Sequence, residues 1–586
     1  MVRIGPAFFE SISNERGARR RFHSSVVSAD LLFIAPLFLA AICFLVIGVR
    51  LFYIQIIRGE YYTALSDQNR TRTEILLAPR GVILDRLGRP LAQNSASFKV
   101  GKGEEALTRD EALKLIQQGR NVKITAGRDY LYKGAFAHVL GYVGPISEDE
   151  VIMPEFSGYA ISDIVGKIGL EREYEAQLHG RNGKKLFEVD AQGKFVRELG
   201  SESPVPGQNL KTTLDRDIQL AVAVSFKDVE RGAVVVSDPR SGAILAMFSK
   251  PTFDPNLFIL GDTYEAEGDY KTRESILSDT EGLPLLDRAI GGAYPPGSTF
   301  KLVTATAALE KGAITPNTQI EDTGILKVGA FSFGNWYFLQ YGRTEGSLDI
   351  VGAIKRSNDI FFYKAAEGAG VNIISDWANR FGLGKKLGID LSGEVSGTVP
   401  TTEWKEKTIG EQWYLGDTYN YGIGQGYLLT TPLQVNMFTT VFANGGTLYQ
   451  PHLLQSQKAK VKRQNFINKK NIDLVRQGMM ESCETGGVAW PFFNFKVKNP
   501  NLTADDRDYI RDASDSADMV RVKVACKTGT AEIGGKDDKP HAWISVFAPF
   551  HEPEIVVTVL VENGGEGSSI AGPVARDILK DYFEKK

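Results

Sequence analysis

One segment of the chain has no polar face at all. From Leu31 to Val49 it reads LLFIAPLFLAAICFLVIGV, nineteen residues without a charge, which at about 1.5 Å per helical residue nearly crosses a bilayer core of about 30 Å. The run is longer than the apolar stretch of a cleaved signal peptide, and Arg50, Leu51, Phe52 and Tyr53 follow it rather than small residues. An uncleaved transmembrane anchor is therefore predicted over 31–51. Arg16, Arg19, Arg20 and Arg21 precede it, so the positive-inside rule keeps residues 1–30 in the cytoplasm and sends the bulk of the chain across the cell membrane. No second run of comparable length and apolarity follows, which makes this a single-pass chain.

Beyond the anchor the pattern changes twice. Residues 52–225 mix strand-like and short helical stretches with many glycines and charges, including a strand-like GVILDRLGRPLAQN at Gly81–Asn94; this region reads as a support domain. From Gly232 the β-patterns become strong. AVVVSD at Ala233–Asp238 and AILAMF at Ala243–Phe248 are joined by the turn residues Pro239 to Gly242 and predict a hairpin. Three more strands are expected near the C-terminus, in VRVKVACKTG from Val520, HAWISVFAP from His541 and EIVVTVLVEN from Glu554. Helical patterns run from Thr299 to Leu309, ending near Gly312, and from Ile350 to Ala366. The fold class is α+β, with an antiparallel sheet flanked by helices in a second domain, 226–586. The polar stretches Asn499–Asp518 and Asp262–Glu281 are expected to be surface loops.

A chain of 586 residues with 43% hydrophobic content is too long for a single core. A net charge of -3 excludes the basic surplus that nucleic-acid binding needs. Cys43, Cys483 and Cys526 and six scattered histidines lack the paired spacing of zinc sites, so no metal or cofactor is predicted and no disulfide framework carries the fold. Whether Cys483 and Cys526 pair is open from the sequence. Cys526 abuts Lys527, a place where a thiol pKa falls if the group is reactive; the simpler reading is a small strand residue.

Three short motifs carry chemistry. Tyr294-Pro-Pro-Gly-Ser-Thr-Phe-Lys301 puts a serine at a helix start and a lysine three residues later, on the same helical face, so that the Lys301 amine reaches the Ser298 hydroxyl and serves as its base once burial lowers its proton affinity. By chance alone S-x-x-K arises roughly once or twice in a chain this long. Ser357-Asn358-Asp359 lies inside the second helical pattern and offers a polar corner suited to relaying a proton. Standing alone it would read as a satisfied interior pair or a helix cap. Lys527-Thr528-Gly529-Thr530 follows the alternation Val520, Val522, Val524 and supplies a cation and two hydroxyls for a carboxylate, with a glycine that admits a substrate backbone. Backbone N–H groups there and at Ser298 suit an oxyanion hole. The ordered trio S-x-x-K, S-x-[ND], K-T-G marks penicillin-recognising acyl-serine enzymes.

With these motifs, the chain from about residue 70 onward resembles the class B penicillin-binding proteins. Further matching segments are RGVILDRLGRPLA from Arg80, GKIGLEREYEAQLHGRNG from Gly166, DPRSGAILAM from Asp238 and GIGQGYLLTTPLQ from Gly422. The resemblance implies a pedestal of the dimerisation type over 52–225 and a peptidoglycan D,D-transpeptidase that crosslinks stem peptides ending in D-Ala-D-Ala and is acylated by β-lactams. It implies Ser298 as nucleophile, Lys301 as base, Ser357 and Asp359 as proton relay, and Lys527, Thr528 and Thr530 on the terminal carboxylate, with Asn358 and Gly529 also lining the substrate. S-x-D followed by IFFY, and GDTYNYGIGQG from Gly416, are similar to the elongation type, penicillin-binding protein 2, whose members work beside a SEDS-family glycosyltransferase of the RodA type and other elongation-complex proteins. The alternatives are a division-type enzyme, a β-lactamase or β-lactam sensor, and a silent scaffold. A lactamase needs neither anchor nor pedestal, and a decayed scaffold would have lost one of Ser298, Lys301, Ser357 or Lys527. Some elongation-type relatives carry zinc near the S-x-D helix, but this chain has neither His nor Cys between 300 and 370, so no such metal is expected. The stretch from about 100 to 160 is short for the head of the pedestal.

Overall fold

The computed structural model describes residues 29–100, 105–107, 109–120, 122–161, 163–190, 192–260, 264–502, 507–534 and 539–586. Arg16, Arg19, Arg20 and Arg21 lie outside them. The chain divides into two compact units, one formed by residues 1–75 and 184–202 and the other by 76–183 and 203–586.

In the first unit, helix α1 (Ala29–Phe52) runs through a π-helical turn at Tyr53–Ile57 into a second helix, Gly59–Arg70. The segment Ile34–Ile57 is long and apolar enough to cross a membrane, and apart from half-buried Ile54 its side chains are exposed, as lipid contact requires. Strand Thr71–Leu76 then pairs with the hairpin Gly183–Val189 and Phe195–Glu202.

The second unit is built on a five-stranded antiparallel sheet. Its strands are β1 (Gly232–Asp238), β2 (Ala243–Lys250), β3 (Ala525–Ala531), β4 (His541–Ala548) and β5 (Ile555–Val561), in the spatial order β2-β1-β5-β4-β3. The predicted hairpin is β1 and β2, with Gly232 opposite Lys250. Strands β1, β2, β4 and β5 read as near-continuous apolar runs because both faces are covered. Ala233 and Val235 of β1, Trp543 and Phe547 of β4, and Val556 and Leu560 of β5 pack on one side with helices α3 (Lys301–Lys311) and α6 (Pro432–Ala443). Val234 and Val236, Ile544 and Val546, and Val557 and Val559 pack on the other with α2 (Arg216–Ser225) and α8 (Ala571–Lys585).

Two expected elements are each divided in the fold. The pattern Ile350–Ala366 is two helices, α4 (Ile350–Arg356) and α5 (Asp359–Ala369), broken at Ser357, whose φ is +54°. Asn358 caps α5 by accepting the Phe361 N–H at 2.9 Å; short polar side chains compete with the helical ladder and favour its ends. The pattern from Val520 also divides. Met519–Val522 joins a small sheet with Lys496–Lys498 and Tyr509–Ile510, and only Ala525–Ala531 enters the main sheet. Between them the Lys523 backbone bonds to Asp508 and Phe550 instead. The two polar stretches are partly structured, since Ile276 in one and Asp508 in the other are buried.

Cys483, at the end of α7 (Lys469–Ser482), is bonded to Cys526 on β3, with Cα atoms 6.0 Å apart. Cys526 therefore has no free thiol beside Lys527, and Cys43, exposed on α1, is the free cysteine. Alkylation before reduction should label one of the three cysteines by intact mass. Replacing both partners with Ser should cost about 2–4 kcal/mol of stability, because the bond closes a long loop; chemical denaturation reads this out.

The motif at Arg80 meets the one at Gly166 in a buried ion cluster. Arg80 Nε donates to Glu171 Oε2 at 2.6 Å and Arg128 Nε to Glu171 Oε1 at 2.7 Å, while Glu175 Oε2 accepts from Arg80 Nη2 at 2.5 Å and from the Gly166 N–H at 2.7 Å. Burial pushes the Glu171 carboxyl up, but the Arg128 and Arg80 guanidiniums outweigh it and hold it below the ordinary range. Its stabilisation is complete above the ordinary value of 4.5 and is lost as pH falls below that through the depressed value. Glu171→Gln takes the paired charge from buried Arg128 and leaves Arg80 with Glu175; it should cost about 3–5 kcal/mol by denaturation at neutral pH, with the difference from wild type shrinking in acid.

Candidate active site

The three motifs converge on the edge of the sheet. Ser298 sits half-buried in a 3-10 turn, Gly297–Phe300, that feeds directly into α3. That turn is anchored from several sides. Tyr294 and Thr430 exchange backbone bonds at 2.8 Å, the Gly297 N–H donates to Gly424 O at 2.9 Å, and Trp543 Nε1 donates to Pro295 O at 3.0 Å. Gly297 has a φ of +53°, and a Cβ there would lie 2.8 Å from Thr530 O. Gly529 is the matching gap on β3, where a Cβ would meet Pro296 O at 2.9 Å and Thr299 Cγ2 at 3.1 Å. The two glycines let the K-T-G strand lie directly against the serine turn.

One turn into the helix, Lys301 is fully buried. Its Nζ donates to Ser357 O at 2.6 Å and Asp359 Oδ1 at 2.7 Å, with Ser357 Oγ at 3.4 Å. Lys527 Nζ arrives from β3 and donates to Ser357 Oγ at 2.8 Å and Thr528 O at 2.9 Å. Ser357 Oγ thus bridges two buried amines. The left-handed backbone at Ser357 makes this possible, because it ends α4 and turns both the carbonyl and the hydroxyl toward Lys301.

Charge balance follows from burial. Lys527 is pushed well below the ordinary lysine range by burial and by the neighbouring Lys301 charge, against a smaller pull from Asp359. Lys301 is lowered by burial, opposed by its ion pair with Asp359. Two buried amines beside one carboxylate favour a neutral amine there, which is a proton acceptor.

The other expected residues are placed differently. Thr530 is exposed at the end of β3, and its Oγ1 accepts the Gly567 N–H at 3.4 Å; Thr528 is buried. Asn358 is buried beside Ser357. Its Oδ1 caps α5 and its Nδ2 donates to Glu345 Oε2 at 2.9 Å, so both ends of the amide are engaged in holding the turn. Motif reading missed Asn335 and Trp336: Asn335 Oδ1 accepts the Asp359 N–H at 3.0 Å, and the Trp336 N–H donates to Asp359 Oδ2 at 2.9 Å. It also missed how GIGQG acts, through Gly424 on the serine turn and Gln425 Nε2 at 3.5 Å from Thr530 O. No spacing rule links these positions to the motifs. Near the S-x-D helix the donor set does not suit a cation: Asp322 already accepts N–H groups from Gly324, Asn335 and Glu345, each at 2.9 Å. Among the described residues no group of three or more His, Cys, Asp or Glu has metal-binding geometry.

Comparison with known proteins matches residues 232–580 to the penicillin-binding protein transpeptidase domain and residues 106–212 to the penicillin-binding protein dimerisation domain. The chain is 32% identical to the peptidoglycan D,D-transpeptidase MrdA of Haemophilus influenzae, over 92% of this chain and 90% of that one. Among solved structures it is similar to the complex of penicillin-binding protein PBP2 with MreC from Helicobacter pylori, at 29% identity and a TM-score of 0.71, covering 87% of this chain and 98% of the other. It is also similar to a chain from a peptidoglycan synthase complex that coordinates polymerisation and crosslinking, at 28% identity and a TM-score of 0.70, covering 95% and 99%.

Proposed function

We propose, for a chain that belongs to the penicillin-binding protein transpeptidase family, that it is an elongation-type peptidoglycan D,D-transpeptidase working through an acyl-enzyme on Ser298. The observation that carries this reading is the bridge of two buried lysines across Ser357 Oγ beneath the Ser298 turn. In the first step neutral Lys301 Nζ takes the Ser298 hydroxyl proton as Oγ attacks the carbonyl of the penultimate D-Ala. The developing oxyanion is held by the N–H groups of Ser298 and Thr530. The C–N bond then breaks, and the departing D-Ala amine receives a proton through Ser357, replenished from the lysine pair. In the second step an acceptor amine from a neighbouring stem peptide attacks the ester, its proton passes back along the same relay, and Ser298 is released. Lys527, Thr528 and Thr530 hold the terminal carboxylate of the donor at the sheet edge, while Gly529 lets the strand that carries them lie against the Ser298 turn.

The family relationship and the apolar helix support a division into a cytoplasmic segment 1–30, an anchor 31–51, a pedestal 52–225 and a transpeptidase domain 226–586, with the catalytic portion outside the membrane. The similarity to structures recorded with MreC and in a synthase complex supports work within an elongation assembly, beside a SEDS-family glycosyltransferase of the RodA type. The test is a crosslinking assay in which the full-length chain in detergent is given peptidoglycan strands bearing pentapeptide stems. Equimolar release of D-Ala and appearance of crosslinked dimers, both blocked by benzylpenicillin, is the expected result. Rapid hydrolysis of the drug with no lasting adduct would instead indicate a lactamase, and a folded protein with neither reaction a scaffold.

A further inference from the structure

Asn335 occupies the N-cap position of the short helix Trp336–Tyr341, yet its side chain makes no capping bond there. An asparagine at that position ordinarily spends its oxygen on its own helix. Here the fully buried carboxamide is directed elsewhere. Its Nδ2 donates to Asp322 Oδ2 at 2.9 Å and its Oδ1 accepts the Asp359 N–H at 3.0 Å. Its own N–H donates to Gly324 O at 2.8 Å, which fixes the backbone that carries the next residue. That residue, Trp336, donates its N–H to Asp359 Oδ2 and its indole Nε1 to Arg356 O at 3.2 Å.

We infer that Asn335 is a positioning residue for the acylation step: braced by Asp322, it fixes the Asp359 backbone and sets the Trp336 N–H on one carboxylate oxygen, leaving the other committed to Lys301. The inference rests on the acyl-transfer reading above. Asn335 does not touch the reacting atoms. It acts because a carboxylate free to rotate would alternate between partners, while one with Oδ2 already bonded presents Oδ1 to the Lys301 amine at every proton transfer. The charged groups around position 335 are Asp322, Asp359 with Lys301, and Glu345 with Arg356.

The test compares benzylpenicillin acylation rates of the full-length wild type, Asn335→Leu and Asn335→Asp in detergent between pH 5 and pH 9, with thermal unfolding alongside. Asn335→Leu keeps the number of side-chain heavy atoms and removes both bonds, and should slow acylation about 10- to 100-fold. Asn335→Asp keeps the acceptor but sets a carboxylate against Asp322. At low pH the pair shares a proton and the new side chain donates as the amide did; as pH rises the two charges repel. The ratio of its rate to wild type should therefore be near one at pH 5 and fall at least tenfold by pH 9. A ratio that is flat across pH, whether near one or uniformly low, overturns the inference, and so does an Asn335→Leu rate within twofold of wild type in a folded protein. If Asn335→Leu does not fold, the pH ratio of Asn335→Asp decides alone. A wild type that forms no adduct would mark failure of the acyl-enzyme reading instead.

Discussion

Ser298→Ala leaves the full-length chain without a covalent benzylpenicillin adduct by intact mass, and its crosslinking rate falls by roughly a thousandfold or more. The substitution removes one oxygen and retains the Cβ. Nothing in the backbone scaffold of the turn depends on that oxygen, since the bonds that hold it come from Gly424, Thr430 and Trp543. Thermal unfolding should therefore match wild type, and the mutant should still bind stem peptide through β3. A persisting adduct of the same mass would place the nucleophile elsewhere.

Lys301→Met produces the second large loss, on the order of 10²- to 10⁴-fold in acylation rate. Methionine fills the space of the lysine stem without an amine. The pH profile distinguishes a base from a merely structural lysine. A base acts only when neutral, so the wild-type rate should rise with pH and level off once Lys301 has lost its proton. Burial sets that midpoint below the ordinary lysine value of 10.5, and the ion pair with Asp359 limits how far it falls. In Lys301→Met this rising limb should disappear from stopped-flow acylation measured across pH. A mutant that keeps the limb, merely scaled down, would show that the titrating group is another, with Lys527 the first candidate because it shares Ser357 Oγ.

The family trio was legible because its chemistry is local in part: Ser298 and Lys301 are one helical turn apart, and Ser357, Asn358 and Asp359 are consecutive. The β1–β2 hairpin was legible for a similar reason, as two apolar runs joined by turn residues. The break itself was not, since the apolar spacing continues through Ser357 and only the competition between its backbone and side-chain bonds reveals the left-handed residue. Likewise Val520–Val524 alternates as an inner strand should, but the bonds of Lys523 to Asp508 and Phe550 divert it. The bonds that both ends of the Asn358 amide make, to Glu345 and to the Phe361 N–H, were not legible either, because Glu345 lies outside the motif.

By itself the sequence determined the apolar N-terminal helix, the order of the strands along the chain and the three short motifs, because each depends on periodicity or on residues close together in the chain. Tertiary structure decided the rest. Ser357 and Lys527 are 170 positions apart, Cys483 and Cys526 are separated by 43, and Asn335 reaches Asp359 across 24. Nothing in the local pattern encodes which distant groups will meet. Those meetings are settled when the two faces of the sheet are buried and each polar group taken inside must find a partner there, and it is this demand that brings two lysines, a serine and a carboxylate into one buried cluster.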